Sequence, residues 1–275
     1  MSGGGGERWN RISFQPFPKG GEELRERDNR EQFGRAAELY ATSPVHAQGV
    51  DLKLVVRFAR PQPTDIALDV STGAGHTAMA LAPHVAQVVA VDLTSQMLLV
   101  ARRLTAERGF HNVEFVEADV RALPFPDRSF DIVTCRTAAH HYPQLGGAVR
   151  EMARVLRRGG RLVISDTISP ADEVGDRFIN AVEILRDPTH VRDWSMAEWY
   201  AAISAEGLTM LEFEEMGLEL EFEAWVERSG TPAELRQVLA AMLTQAPPRL
   251  RELFAVKTEP LRFSLRKAVF LAVHA

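Results

Sequence analysis

The stretch that decides the fold is Ala67–Ala78, which reads ALDVSTGAGHTA. It continues an apolar run, Ile66–Val70, that is typical of a buried parallel strand. Gly73 and Gly75 follow, and glycine permits a tight turn and close approach of the backbone to a ligand. His76–Leu81 can then begin a helix whose first amide groups are available to a polar ligand. This order predicts a strand, a ligand-binding turn and a helix.

Strand and helix patterns alternate along the chain on both sides of this turn. Two helical patterns come before it, and the predicted elements from it onward are strands at 66–70, 87–91, 113–117, 131–135 and 160–166 and helices at 76–82, 95–108 and 145–156. This alternation predicts an α/β protein with a Rossmann-like sheet of seven mostly parallel strands and helices on both faces. Two more strand patterns, Leu208–Leu220 and Phe263–Val273, flank helical patterns at 232–245 and 248–255. We expect the N-terminal helices and a helical C-terminal insertion to form a lid.

Composition limits the class of protein. The 275 residues are 45% hydrophobic, which is enough for a large core. A net charge of −5 without a basic run argues against a nucleic-acid partner. Cys135 alone cannot form an internal disulfide, and no metal-ligand spacing is present. Because no apolar span or signal core is found, we expect a cytoplasmic protein without a membrane span.

The chain divides into two parts by composition. Residues 1–30 are rich in glycine, proline and charge and predict a flexible tail. Residues 31–275 predict one domain, with a ligand-binding core at about 60–168 and lid and substrate elements at 31–58 and 170–262.

Three acids at the ends of successive predicted strands indicate the ligand. Gly73, Gly75 and Ala78 fit a loose pattern that dinucleotide sites share with other nucleoside sites. Asp92 can bind the hydroxyls of a ribose in either class. Asp69 would repel a pyrophosphate, whereas an ammonium, a ribose and an adenine amine together account for Asp69, Asp92 and Asp119. S-adenosylmethionine is therefore favoured, and an NAD-dependent oxidoreductase and a non-catalytic S-adenosylmethionine-binding module are the alternatives.

Over Phe33–Leu220 the chain resembles the class I S-adenosylmethionine-dependent methyltransferases. The resemblance is strongest to the ubiquinone/menaquinone C-methyltransferase-like branch, methyltransferase type 11. The motifs that carry it are LDVSTGAGHT, VVAVDLTSQML, VEADVRALPFPDRSFDIVTCRTAAHHY and EMARVLRRGGRLVISD. It implies S-adenosylmethionine as cofactor and methyl transfer to a carbon or oxygen atom of a small apolar or aromatic acceptor.

The resemblance also implies roles for individual residues. The backbone of Asp69–Gly75 would hold the methionine part, Asp92 the ribose, Leu93 and Met97 the adenine face, Asp119 and Val120 the adenine edge, and Arg136 the methionyl end. The predicted cofactor-binding residues are Asp69, Ser71, Gly73, Gly75, Asp92, Leu93, Met97, Asp119, Val120, Arg136 and Tyr40. Ser71 departs from the family, since many relatives have glycine there.

Five of these residues have a simpler interpretation. Gly73 and Gly75 can form only a tight turn between the strand and the helix. Asp92 can be a helix N-cap, Asp119 an exposed loop acid and Met97 a core residue.

The loop Arg136–Tyr142, RTAAHHY, carries the predicted catalytic residues. A neutral imidazole at His140 or His141 can take a proton from an enol, a phenol or an acidic carbon, and Tyr142 can assist by hydrogen bonding. Adjacent side chains point in different directions, so we expect at most one histidine to reach the site. Methyl transfer is a displacement at an activated carbon, and therefore a dedicated base is not required.

Two segments are lid candidates and one region has no motif. The first lid candidate contains Tyr40, Ser43 and His46, and the second is RDPTHVRDW, with His190, Arg192 and Trp194. Four apolar residues in the motif-free region 218–260 are expected to be exposed, where they would cover a substrate cavity or form the face of a homodimer. They are Trp225, Leu239, Met242 and Leu243.

Overall fold

The computed structural model describes residues 30, 32–34, 38, 47 and 49–274. Most of the predicted tail at 1–30, and also Tyr40, Ser43 and His46, lie outside the described residues. In the described part of the chain, no helix has both the length and the apolar character needed to cross a membrane.

Nine α-helices, three short 3-10 helices and eight strands are described in residues 50–274. The α-helices are α1 (Val50–Ala59), α2 (His76–Leu81), α3 (Ser95–Glu107), α4 (Leu145–Val155), α5 (Glu173–Arg186), α6 (Met196–Ala205), α7 (Phe222–Arg228), α8 (Ala233–Gln245) and α9 (Pro248–Leu253). The strands are β1 (Ile66–Val70), β2 (Gln87–Asp92), β3 (Val113–Glu117), β4 (Phe130–Arg136), β5 (Leu156–Ile168), β6 (Leu208–Glu221), β7 (Lys257–Thr258) and β8 (Leu261–His274).

The strands form one sheet in the order β3-β2-β1-β4-β5-β8-β6, and the short β7 pairs with β8. The first five strands of the chain run parallel, while β8 runs antiparallel to both β5 and β6. The predicted α/β class and the mostly parallel sheet are confirmed, and β7 is an eighth strand that the sequence did not predict.

One strand begins well before its predicted start, and one helix was not predicted. The strand predicted at 160–166 begins at Leu156, and Gly159, with φ +72°, lies where the pairing between β4 and β5 shifts register. The glycine pair is therefore an irregularity inside β5. Helix α7 was not predicted; it begins where the Glu221 side chain accepts a hydrogen bond from the amide of Ala224.

Alternate residues of the central strands pack on opposite faces of the sheet. Leu68 lies in a core cluster that includes Trp199 and Phe270, and Ala67 lies in the cluster on the other face, which includes Phe58. Since these clusters cover both faces, the binding surfaces are at the ends of the strands.

A third cluster buries the apolar residues that were expected to be exposed. Trp225, Leu239 and Leu243 are each at most 1% exposed, so the expectation of an exposed apolar face at these positions is wrong. The physical reason is that β6 and β8 extend beyond the parallel strands, and α5 and α7–α9 fold onto that extension. The rings of Trp225 and Phe263 of β8 meet edge to face there, with centroids 4.8 Å apart.

Candidate active site

The turn after β1 lies where the strand order changes direction, between β2 and β4. Ligands of open α/β sheets bind at such a point, beyond the carboxyl ends of the strands. Gly73 and Gly75 have φ values of +54° and +83°. At Gly75 a Cβ atom would also lie 3.1 Å from the Cβ of Ala101 on α3, which explains why the turn needs glycine.

Asp92, at the end of β2, joins the turn to the neighbouring strand. Its Oδ2 accepts a hydrogen bond from the Gly73 amide at 2.8 Å, and its Oδ1 accepts one from the Thr94 amide at 2.9 Å. Thr94, not Asp92, is the N-cap of α3. Burial raises the pKa of Asp92, against the effect of these two amides.

Ser71 is held by the loop after β4. Its φ is +52°, and its Oγ lies 2.7 Å from the hydroxyl of Tyr142. The same hydroxyl lies 3.2 Å from the Sγ of the buried Cys135. Tyr142 therefore holds the turn at Ser71 through this hydroxyl contact.

Asp69 lies behind the turn and is not among the residues that line the cleft. Its carboxylate is buried and accepts hydrogen bonds from the hydroxyls of Thr72 and Thr134, the latter at 2.7 Å. Burial raises its pKa to about 6, although both hydroxyls act in the opposite direction. The geometry gives Asp69 the role of shaping the turn from within, and its contact with the ligand stays a prediction.

A cleft of about 1170 Å³, including the part open to solvent, lies in front of this turn; we call it the outer cleft. Of the predicted site residues, it brings together Ser71, Gly73, Asp92, Leu93, Met97, Asp119, Val120, Arg136, His141 and Tyr142. Gly75 turns the chain without lining the cleft. Phe33, Thr94 and Arg121 also line it. Thr94 and Arg121 belong to motifs quoted for the family resemblance, and Phe33 begins the range over which that resemblance holds.

Asp119 is buried rather than exposed on a loop, so the interpretation as an exposed loop acid is wrong. The Nε of Arg121 lies 3.1 and 3.0 Å from its two carboxylate oxygens, and the Arg121 amide donates to Oδ1 at 2.8 Å. Met97 is both a core residue and a residue of the cleft. It packs with Ala74 and Val100, and it also lines the outer cleft.

Arg136, predicted at the methionyl end, lines the outer cleft while it binds α1. Its Nε and Nη2 donate to the carboxylate of Asp51 at 2.7 and 2.9 Å, and Lys267 of β8 lies 2.6 Å from the same carboxylate. Burial alone would raise the pKa of Asp51, but Arg136 and Lys267 hold it well below its ordinary value. This buried cluster ties α1 to β4 and β8.

The pKa values of the two adjacent histidines are shifted in opposite directions. His140 Nδ1 lies 2.7 Å from Asp166 Oδ1 at the end of β5. Burial disfavours its charge, yet Asp166 outweighs burial and raises the pKa of His140 to about 9. Burial and the charge of His140 lower the pKa of His141 to about 4. Nδ1 of His141 lies 3.0 Å from the Thr189 carbonyl, so this nitrogen donates and Nε2 carries the lone pair.

A second cavity, of about 690 Å³ including the part open to solvent, is lined by residues of α5, α7, β6 and β8; we call it the inner cavity. It shares Phe33, Thr137 and His141 with the outer cleft. Leu218, Leu220, Trp225 and Leu265 form its apolar wall, and its polar wall consists of His140, Thr167, Glu183, Arg186, Asp187, His190, Asp193, Arg228 and Lys267.

The predicted lid string RDPTHVRDW closes over the histidine loop. The amides of Val191 and Arg192 donate to the His140 carbonyl at 2.8 and 3.1 Å, and Trp194 Nε1 donates to the Ala139 carbonyl at 3.1 Å. The imidazole of His190 stacks on that of His140, with centroids 5.6 Å apart. In the described residues, no group of three or more His, Cys, Asp or Glu side chains is placed to hold a metal ion.

Comparison with known proteins agrees with this geometry. Residues 68–164 match the family described as methyltransferase domain. The chain is 39% identical to the uncharacterised methyltransferase YcgJ of Bacillus subtilis (strain 168) over 242 residues, which cover 86% of this chain and 96% of that protein. It therefore belongs to the methyltransferase family, and the prediction of an S-adenosylmethionine-dependent methyltransferase is confirmed.

Two further likenesses extend this result. The crystal structure of YcgJ superposes with a TM-score of 0.79 at 38% identity, covering 81% of this chain and 97% of that one. The ubiquinone/menaquinone biosynthesis C-methyltransferase UbiE of Pseudomonas putida (strain GB-1) is 38% identical over 118 residues, which cover 42% of this chain and 46% of UbiE. The predicted resemblance to that branch is thus confirmed.

Proposed function

We propose that this methyltransferase moves the methyl group of S-adenosylmethionine to a carbon or oxygen atom of a small acceptor that is apolar or aromatic over most of its surface. The observation that carries the proposal is the arrangement of the two cavities. The outer cleft has the features of a nucleoside site, and it meets the inner cavity at His141. A donor in the first and an acceptor in the second would meet at this junction.

The residues of the outer cleft fit the methyl donor. Among the described residues, no atom comes within 4 Å of the position that a Cβ on Gly73 would take, so the backbone there is open to a ligand. The half-buried carboxylate of Asp92 would hold the ribose hydroxyls, and Leu93, Met97 and Val120 would flank the adenine. Bound S-adenosylmethionine supplies a methyl group on a positively charged sulfur.

We assign the two histidines different tasks. His141 is neutral near pH 7 and its Nε2 lone pair lies at the junction, so it can accept a proton from an enol, a phenol or an acidic carbon. His140 is protonated near pH 7 because Asp166 raises its pKa. It lines the inner cavity but not the outer cleft. Phe33, whose ring lies 4.9 Å from that of His141, would help to exclude water from the junction.

The first experiment is calorimetric titration with S-adenosylmethionine and S-adenosylhomocysteine. We expect both to bind and NADH not to bind. Asp92→Ala should weaken both affinities at least about tenfold, because a charge-assisted hydrogen bond contributes about 1.5–3 kcal/mol. Asp127→Ala, at an exposed acid outside both cavities, is the matched control and should bind like the wild type. Absence of binding of both compounds would refute the proposal.

A further inference from the structure

The inner cavity contains a carboxylate with an unsatisfied oxygen. Asp193 is 1% exposed and lines this cavity. Its Oδ1 accepts a hydrogen bond from the hydroxyl of Thr167, whereas its Oδ2 has no hydrogen-bond partner in the described part of the chain. Leaving a buried polar atom unpaired is costly, so such an atom calls for an explanation.

The position of Asp193 is firmly held. Its amide donates to the side-chain oxygen of Asn180 on α5 at 2.7 Å, and Thr167 fixes its first carboxylate oxygen from β5. Burial and the negative charge of Glu183 raise the pKa of Asp193. The carboxylate of Asp193 is therefore held in one place, although its surroundings disfavour the ionised form.

The charges around the inner cavity restrict which ligand group can pair with Asp193. Lys267, Arg186 and protonated His140 line the cavity and would repel an ammonium group. Glu183 and Asp187 line the same cavity and would repel a carboxylate. A neutral hydroxyl meets neither objection, and it can donate to an ionised carboxylate or accept from a protonated one.

The rest of the cavity wall accommodates an apolar body. Leu218, Leu220, Trp225 and Leu265 contribute apolar surface to the same lining. We infer that the inner cavity binds the acceptor as a small apolar or aromatic molecule carrying a hydroxyl group, and that Asp193 selects this acceptor through a hydrogen bond to the hydroxyl. This inference rests on the proposed function, because it takes the inner cavity as the acceptor site.

The test compares two probes that differ by the hydroxyl. 4-Methylphenol and toluene are titrated into the protein saturated with S-adenosylhomocysteine, and binding is followed by NMR. Wild type should prefer 4-methylphenol by about tenfold or more, since a site built around a hydrogen bond rejects the analogue that lacks it. Asp193→Leu should reduce the ratio of the two affinities to about one. Asp193→Asn should reduce it about threefold, because the hydrogen bond is then between neutral groups.

Stability separates selection from a structural role. In Asp193→Asn the side-chain oxygen can still accept from Thr167, while the buried charge is removed. We therefore expect the ligand-free variant to have a urea midpoint equal to or above that of the wild type. Asp131→Asn is the matched control: Asp131 accepts from the Ile66 amide and from Arg157, remote from both cavities. This control should lower the midpoint and keep the wild-type preference for 4-methylphenol.

Four results would overturn the inference. They are failure of both probes to bind, equal affinity of wild type for the two probes, an unchanged preference in Asp193→Leu, and a lower midpoint in Asp193→Asn. If the protein still binds S-adenosylhomocysteine, any of these results refutes the role of Asp193 and leaves the proposed function standing. Loss of S-adenosylhomocysteine binding by the wild type refutes the proposed function instead.

Discussion

Ser71 and Tyr142 connect the two loops that form the floor of the outer cleft. Their hydroxyls lie 2.7 Å apart, and the bond joins residues 71 positions apart in the chain. Because Ser71 has a positive φ, this bond also stabilises a backbone conformation that serine adopts at a cost. The shape of the outer cleft therefore depends on the Ser71–Tyr142 pair as well as on Gly73 and Gly75.

A double-mutant cycle of Ser71→Ala and Tyr142→Phe measures this connection. We expect each single variant to lower the free energy of unfolding by about 1 kcal/mol, the usual net value of one hydrogen bond. The two effects should not add, with a coupling of about 0.5–1.5 kcal/mol by urea unfolding. Additive effects would show that the hydroxyls act independently.

The His140–Asp166 pair should make stability depend on pH. The pKa of His140 is raised from 6.5 to about 9, so the folded state holds a proton that the unfolded state loses first. Its contribution is complete below pH 6.5 and is lost as the pH rises to about 9. Urea unfolding at pH 6, 7.5 and 9 should show the difference between wild type and His140→Gln shrinking over this range. A constant difference would contradict the assigned protonation state.

Individual site residues were predictable where the local sequence determines their position. Asp92, Asp119 and Val120 end strands or begin the loops that follow, and the structure places them at the outer cleft. The orientation of Asp69 was not predictable, because its partner Thr134 lies 65 residues away on β4. Asp193 belongs to no local motif, and only the folded structure shows that one of its carboxylate oxygens lacks a hydrogen bond.

At the scale of elements, α1 is attached to the sheet through a buried ionic cluster. Asp51 in its first turn receives two hydrogen bonds from Arg136 and lies 2.6 Å from Lys267. The Ser165 hydroxyl donates to the same carboxylate at 3.1 Å. This helix thereby packs against β4, β5 and β8 next to the outer cleft.

Asp51→Asn removes the charge that compensates Arg136 and Lys267. We expect a loss of about 3–5 kcal/mol in the free energy of unfolding, because two buried cations lose their counterion. Glu214→Gln is the matched control: it breaks an exposed ion pair with Arg57 of the same helix and should cost less than about 1 kcal/mol. Similar losses in chemical denaturation of the two variants would contradict the role of the cluster.

Most elements were predictable because their patterns are regular. The strands β1 and β3 have the predicted bounds, and α3 and α4 each end one residue earlier than predicted. Helix α7 has seven residues, too few for a periodic pattern, and the apolar residues after 218 lack any motif. Their burial depends on the long extension of β6 and β8, which is a property of the assembled sheet.

For the whole molecule, the outer cleft is lined by residues from the parallel half of the sheet and by Phe33 from the N-terminal part of the chain. Phe33 contributes to both cavities, and Gln32 donates to Asp187 at 2.8 Å near the inner cavity. A ligand in the outer cleft would therefore bind to groups from separate parts of the folded chain. Such binding favours the folded state as a whole.

S-adenosylhomocysteine should consequently raise the melting temperature. At 100 times its dissociation constant the stabilisation is about 2.7 kcal/mol, which corresponds to roughly 5–10 °C for a chain of this size. Thermal scanning should show this rise for wild type, a smaller rise for Asp92→Ala at the same concentration, and none with NADH. Equal shifts for wild type and Asp92→Ala would exclude Asp92 from the donor site.

The position of β8 has a consequence for synthesis on the ribosome. β8 lies between β5 and β6, although it follows β6 in the chain. The five parallel strands can pair as soon as they emerge, but β6 has no neighbour in the sheet until β8 is also outside the exit tunnel. A nascent chain stalled before residue 261 would therefore present β6 without its partner, which makes it a target for chaperones.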